Sequence, residues 1–268
     1  MTLSNPVLNS VAFRGPARVG GTAAGRINDV APAVASGHRM TFAGAVGRTA
    51  VLFAVLLATA VGGWEWTRIT GTGLAGMIPW IVGGAAAIVL GITVGVTSRT
   101  RVRPGLIVAF AAVEGMVVGS VSAWFDHRYP GVVLQAVLAT LVVTGITLLL
   151  SATGLVRANR RATRVWIVAM IGYVLFTAVD ALLAWTGIVP DAFGTHGQQL
   201  FGLPLAYLIG AFVVVMAAYA LIRDFDAIRE GVRSGVPSDR AWLGAFGVMV
   251  TIVWLYLEVL RILGRARS

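Results

Sequence analysis

Residues 105–125 read GLIVAFAAVEGMVVGSVSAWF, an apolar block carrying a single ionisable side chain, Glu114, near its middle. Wound as an α-helix at about 1.5 Å per residue, a block of this length crosses the roughly 30 Å of hydrocarbon in a bilayer. Working outward, comparable blocks occupy 45–63, 74–97, 131–152, 165–186, 200–222 and 242–263. Helices are the form such blocks take, because inside lipid each backbone N–H and C=O must be satisfied within its own segment. The alternation that would suit barrel strands is absent. Composition agrees: 57% of the 268 residues are hydrophobic, 12% are charged and the mean hydropathy is +0.85. Soluble domains carry about a quarter charged residues, so this chain has too little charge to cover a water-facing surface. The expected fold is all-α: a polytopic integral membrane protein with seven transmembrane helices.

Orientation follows from arginine, which supplies every basic residue because the chain contains no lysine. With the N-terminus in the cytoplasm, the arm and the even-numbered loops collect fifteen arginines, among them Arg99, Arg101, Arg103, Arg157, Arg160, Arg161 and Arg164. The opposite side receives Arg68, Arg128 and the tail residues Arg261, Arg265 and Arg267. This is the sense of the positive-inside bias, and the expected location is a cytoplasmic membrane with the N-terminus inside. The formal net charge of +10 is then accounted for by loops facing anionic lipid headgroups. No basic face on a folded domain calls for nucleic acid. Residues 1–40, rich in Arg, Gly and Ala, read as a flexible cytoplasmic arm ahead of a seven-helix domain at 41–268. The absence of cysteine removes disulfides and thiolate metal sites.

Enzymatic signatures are missing. There is no H-E-x-x-H zinc pair, no G-x-S-G elbow and no phosphate-cradling glycine loop, and His38, His127 and His196 are scattered through the arm and exterior loops. The expectation is no catalysis and no resident cofactor, with calcium ions at most as transient occupants. The pairs Gly91 and Gly95, and Gly115 and Gly119, have the spacing that lets helices approach closely.

Acids at membrane depth remain. Glu114 lies about 15 Å from the cytoplasmic end of its helix, beyond the reach of a snorkelling side chain. Asp180 and Glu258 fall in the outer third on the same count, and Glu258 has Arg261 one turn away. Asp224 ends the sixth block; no Gly or Pro follows until Gly231, so its helix is expected to project past the membrane with Asp226 and Glu230 on a solvated face. An ionisable group inside a span is costly and by default marks an ion or proton pathway. Glu114 and Asp224 are the leading candidates, and the two most suited to touch calcium.

Several separated motifs carry a resemblance. Ala111-Ala112-Val113-Glu114-Gly115 with Gly119, then Tyr129-Pro130-Gly131 through Ala136, then Asp224-Phe225-Asp226-Ala227-Ile228, then Trp254-Leu255-Tyr256-Leu257-Glu258 together resemble the Bax inhibitor-1 family in its YccA-like bacterial branch, and Ser4-Asn5-Pro6-Val7-Leu8 is similar to that branch's opening. The resemblance implies a last helix at the centre of the bundle and a pH-sensitive leak of calcium or other cations. It also implies a gate built from two aspartates, one on the sixth helix and one on the seventh, that share a proton when closed. The first maps onto Asp224, with Arg223 where the motif has an aromatic residue. The second maps onto Thr251, which is not ionisable.

Helical arithmetic bears on that pair. If the hairpin turns near Gly235 to Pro237, the position level with Asp224 falls near residue 248, within a turn of Thr251, whereas Glu258 is ten residues further, about 15 Å. A hydroxyl opposite Asp224 cannot share a proton as a second carboxylate would, so the expected pH response is weaker than a dyad gives. Two functions follow as expectations. One is a cation leak with carboxylates at graded depth: Asp224 at the mouth, Glu114 midway, Asp180 or Glu258 outermost. The other is a non-conducting regulator that binds a membrane-protein partner, such as a quality-control protease, through its arm.

Overall fold

The computed structural model describes residues 39–186, 199–200 and 203–267. Among these, seven helices are long and apolar enough to cross a membrane. They are α1 (Phe42–Thr70), α2 (Ile78–Thr97), α3 (Pro104–Arg128), α4 (Val132–Thr153), α5 (Arg160–Trp185), α6 (Leu205–Arg233) and α7 (Ala241–Arg265). A two-residue antiparallel pair joins Gln199–Leu200 to Leu203–Pro204 ahead of α6. The chain is a multi-pass α-helical membrane protein. His127, expected in an exterior loop, sits instead in the last turn of α3.

Local sequence sets several of the ends. Pro104 opens α3, where its missing N–H is one the first turn would leave unpaired anyway. Gly154 closes α4 in the left-handed conformation at φ 73°, which glycine adopts without a Cβ clash. Between α6 and α7 the chain reverses at Gly235, φ 66°, and through a single 3₁₀ turn at Ser238–Arg240.

The most extensive contact joins α1 to α3. Their registers rise together: Leu56 meets Gly115 and Ala60 meets Gly119, while Gly63 on α1 meets Met116 and Ser120. At each of these three glycines a Cβ would collide with the facing backbone, so the two helices touch main chain to main chain. Thr67 Oγ1 and Ser120 Oγ lie 2.8 Å apart, and both hydroxyls reach the carbonyl of Gly76, pinning the α1–α2 loop over the seam. By contrast, a Cβ at Gly95 would meet nothing within 4 Å, so the α2 glycine pair does not make an equivalent seam.

Helix α7 packs on α6, α1, α4 and α3, and its buried residues include Thr251, Leu255, Glu258 and Leu260. Helix α5 differs. No residue in its apolar stretch is buried, and side chains fasten it: Trp166 Nε1 donates to the Met216 carbonyl at 2.9 Å, and the hydroxyls of Thr163 and Tyr219 are 3.0 Å apart.

Candidate functional site

The α6–α7 hairpin brings Asp224 and Thr251 together. Thr251 Oγ1 donates to Asp224 Oδ2 at 2.6 Å, a charge-assisted length, and Thr251 is only 9% exposed. On α7 the position facing the carboxylate is Gly247, where a Cβ would stand 3.2 Å from Oδ1. A cavity of about 520 Å³ runs from the hairpin residues Val236, Pro237 and Arg240 to Asp224, between bare backbone at Gly231, Gly244 and Gly247. A Cβ at Gly244 would meet Ile228 at 2.7 Å and one at Gly231 would meet Met40 at 2.9 Å, so these glycines let α6, α7 and the Met40 side chain pack closely around this vestibule.

Met40 roofs the vestibule. Its backbone N–H donates to the Val236 carbonyl at 2.8 Å, Arg39 pairs with Pro237, and its side chain, 4% exposed, rests against Gly231. The segment entering α1 is thus bridged by its backbone to the α6–α7 turn. The sequence carries no local signal for this, because the pairing is made by backbone groups almost two hundred residues apart.

Arg223, beside the acid, turns to α5, its guanidinium 4.4 Å from the centre of the Trp166 ring. Asp226 was expected on a solvated face. Its Oδ2 instead accepts from the Ala158 N–H at 2.8 Å, and Arg229 approaches Oδ1 at 3.9 Å, so it ties the α4–α5 connection to α6.

Glu114 lies on the other side of α7. With Phe110, Phe246 and Val250 it lines an open groove of about 440 Å³ between α2, α3 and α7. Its position is ten residues past Pro104, just as Thr251 is ten residues past Ala241, and Phe246 and Val250 bracket the α7 residues opposite Asp224. Glu114 and Asp224 therefore stand at similar depth, about 15 Å along their helical frames, on different faces of one helix. The two cavities share no wall residue. Asp224 and Glu114 therefore do not follow one another along one cavity: α7 stands between them.

Glu258 is 2% exposed and doubly held. Arg261 NH1 approaches Oε2 at 2.7 Å, and Tyr173 OH, from α5, donates to the same oxygen at 2.9 Å. The helical spacing anticipates Arg261 but not Tyr173, which arrives from 85 positions away. These partners occupy Glu258, while the α7 residue that meets Asp224 is Thr251. Asp180 falls in α5, and its side chain lies outside the described residues, as do residues 1–38 of the arm. Among the described residues no cluster of three or more acidic or histidine side chains could hold a metal ion.

A family model, Bax inhibitor 1 like, matches residues 5–268 of the chain. No curated protein and no solved structure matches it.

Proposed function

The chain belongs to the Bax inhibitor 1 like family, and from that premise we propose that it is a pH-influenced leak for cations, calcium among them, gated where α6 meets α7. The observation that supports this reading is the Thr251 to Asp224 hydrogen bond of 2.6 Å at the inner end of a vestibule between glycine-bared helices. The bond holds the two helices together and occupies the one carboxylate the vestibule reaches. A hard cation seeks oxygen ligands, and a proton or cation arriving at Asp224 competes with the Thr251 hydroxyl for the same oxygens. Loss of that bond lets α7 move against α6 at its bare glycine contact. Because Thr251 brings no second proton-sharing group, the pH response rests on Asp224 and is shallower than that of two coupled carboxylates. In this reading the membrane is a bacterial cytoplasmic membrane with the hairpin and the N-terminus inside, on the arginine-rich side.

Calcium flux through proteoliposomes tests it. Asp224→Asn should lower the leak by removing the charge that attracts the ion, and Thr251→Val should raise it by freeing the helix pair. Flux equal to that of the unaltered protein in both variants would remove the seam from the pathway.

A second reading, a regulator working through a membrane-protein partner, is favoured by the backbone bridge at Arg39 and Met40. Force applied to the chain ahead of residue 39 is delivered to the Val236 carbonyl, and so to the roof over Asp224. Deleting residues 1–38 separates the two: a leak confined to the seam keeps its flux, whereas a regulator acting through the arm loses its partner.

A further inference from the structure

The Glu114 groove is not absorbed by either reading. Among the described residues the Glu114 carboxylate has no hydrogen-bond or ion-pair partner, although Asp224 and Glu258 both do. A carboxylate in hydrocarbon without a partner is expensive, and such groups almost always meet an opposite charge or a donor. The groove is not closed to the outside. Ile88 and Ile92 on its α2 rim are 67% and 63% exposed, so it opens sideways, toward the acyl chains.

Its wall has a defined chemistry. Phe110 and Phe246 meet edge to face with ring centres 5.0 Å apart, beside Glu114, the only charged group lining the groove among the described residues. Gly84 leaves open space where a side chain would stand, with nothing within 4 Å of a Cβ built there. A volume of about 440 Å³ falls in the range of small-molecule sites, about 300–1,000 Å³. A bare divalent ion does not fit this lining, since it asks for about six to eight oxygens and the groove offers one carboxylate. A larger cavity of about 580 Å³, between α1 and α4, has among the described residues no charged wall residue, and its hydroxyl side chains, Ser122, Thr140 and Tyr256, are already hydrogen-bonded within the protein.

We propose that the groove is a binding site for lipophilic organic cations entering from the hydrocarbon phase, with Glu114 as counter-charge and Phe110 and Phe246 as the aromatic wall. Each component answers one requirement of such a ligand. A bulky, delocalised cation loses less on leaving water than a compact ammonium, so it reaches this depth unaided. There the carboxylate neutralises it in a medium that screens little, and the rings add attraction through their negative faces. The site is distinct from the α6–α7 seam, so its failure would leave the leak reading standing, and the reverse.

The experiment uses the full chain in lipid nanodiscs and tetraphenylphosphonium as the probe, with binding followed by equilibrium dialysis against empty nanodiscs. Saturable binding is expected, weakened at least about tenfold by Glu114→Gln, a loss of about 1.4 kcal/mol. Gly84→Leu fills the groove without touching a charge or a packed contact, and should weaken binding as strongly. Asp224→Asn, in the other cavity, should bind as the unaltered chain does. The proposal is overturned if binding does not exceed that of empty nanodiscs, if Glu114→Gln and Gly84→Leu both retain full affinity, or if Asp224→Asn loses as much as Glu114→Gln. It is equally overturned if Gly84→Cys cross-links efficiently in membranes to a second copy or a partner helix, because the groove would then be covered by protein.

Discussion

Two acids stand at the same level on either side of α7 and live in different chemistry. Asp224 faces a helix that offers a hydroxyl and a glycine, so its carboxylate is gripped at 2.6 Å and α6 lies close. Glu114 faces phenylalanine, valine and the open space at Gly84, so it is unpartnered among the described residues although α2 packs along α3. Burial depth alone does not decide what an intramembrane acid does. The neighbouring helix decides it, by donating a group or by leaving room. Glu258 extends the comparison to an acid with two partners on one oxygen.

If partners set the cost, breaking them should rank the three sites. The largest effect is expected for Arg261→Met. It leaves Glu258 buried with only Tyr173, at a cost of about 3 kcal/mol, seen as a lowered midpoint when the detergent-purified protein is unfolded by heat. Gly247→Leu comes next. Its side chain would enter the space held by the Asp224 carboxyl, and overpacking of this kind costs about 2 kcal/mol, whereas Gly84→Leu on the opposite cavity should change stability by less than about 0.5 kcal/mol. Equal losses in that pair would break the comparison. Thr251→Val keeps the shape and removes the donor, for about 1.5 kcal/mol, and Thr251→Ser should restore most of it. The smallest effect is Glu114→Gln. With no native partner to lose, it should fall within about 0.5 kcal/mol of the unaltered protein or slightly above it. A large loss there would reveal a partner that the groove does not show.

The frame was legible because the bilayer imposes its thickness on the sequence. Blocks such as 105–125 and 242–263 foreshadow α3 and α7 to within a few residues. The sixth block, read as 200–222, is seen as α6 at Leu205–Arg233 and runs past Asp224, as the absence of Gly or Pro before Gly231 suggests. The Asp224 and Thr251 encounter was also within reach, since a tight hairpin fixes which positions stand level. What sequence could not supply is azimuth. Which face of α7 each acid meets depends on how neighbouring helices pack, and helices apolar all round, such as α1 and α3, carry almost no periodic signal for that. Tyr173 on Glu258, Ala158 on Asp226 and Met40 on the hairpin are all long-range, and none leaves a local trace.

The main-chain seam between α1 and α3 has a consequence for how the protein is made. Gly63 has no complement until the ribosome has added Met116 and Ser120, several seconds of synthesis at about 5–20 residues per second. Throughout that interval α1 lacks the helix against which its glycine face packs. Both halves of the clasp are synthesised before α6 and α7, so it can shut before the hairpin carrying Asp224 and Thr251 is delivered. A substitution at Gly115 or Gly119 should therefore declare itself during biogenesis, as a nascent chain handed to quality control, before any property of the finished protein could be measured.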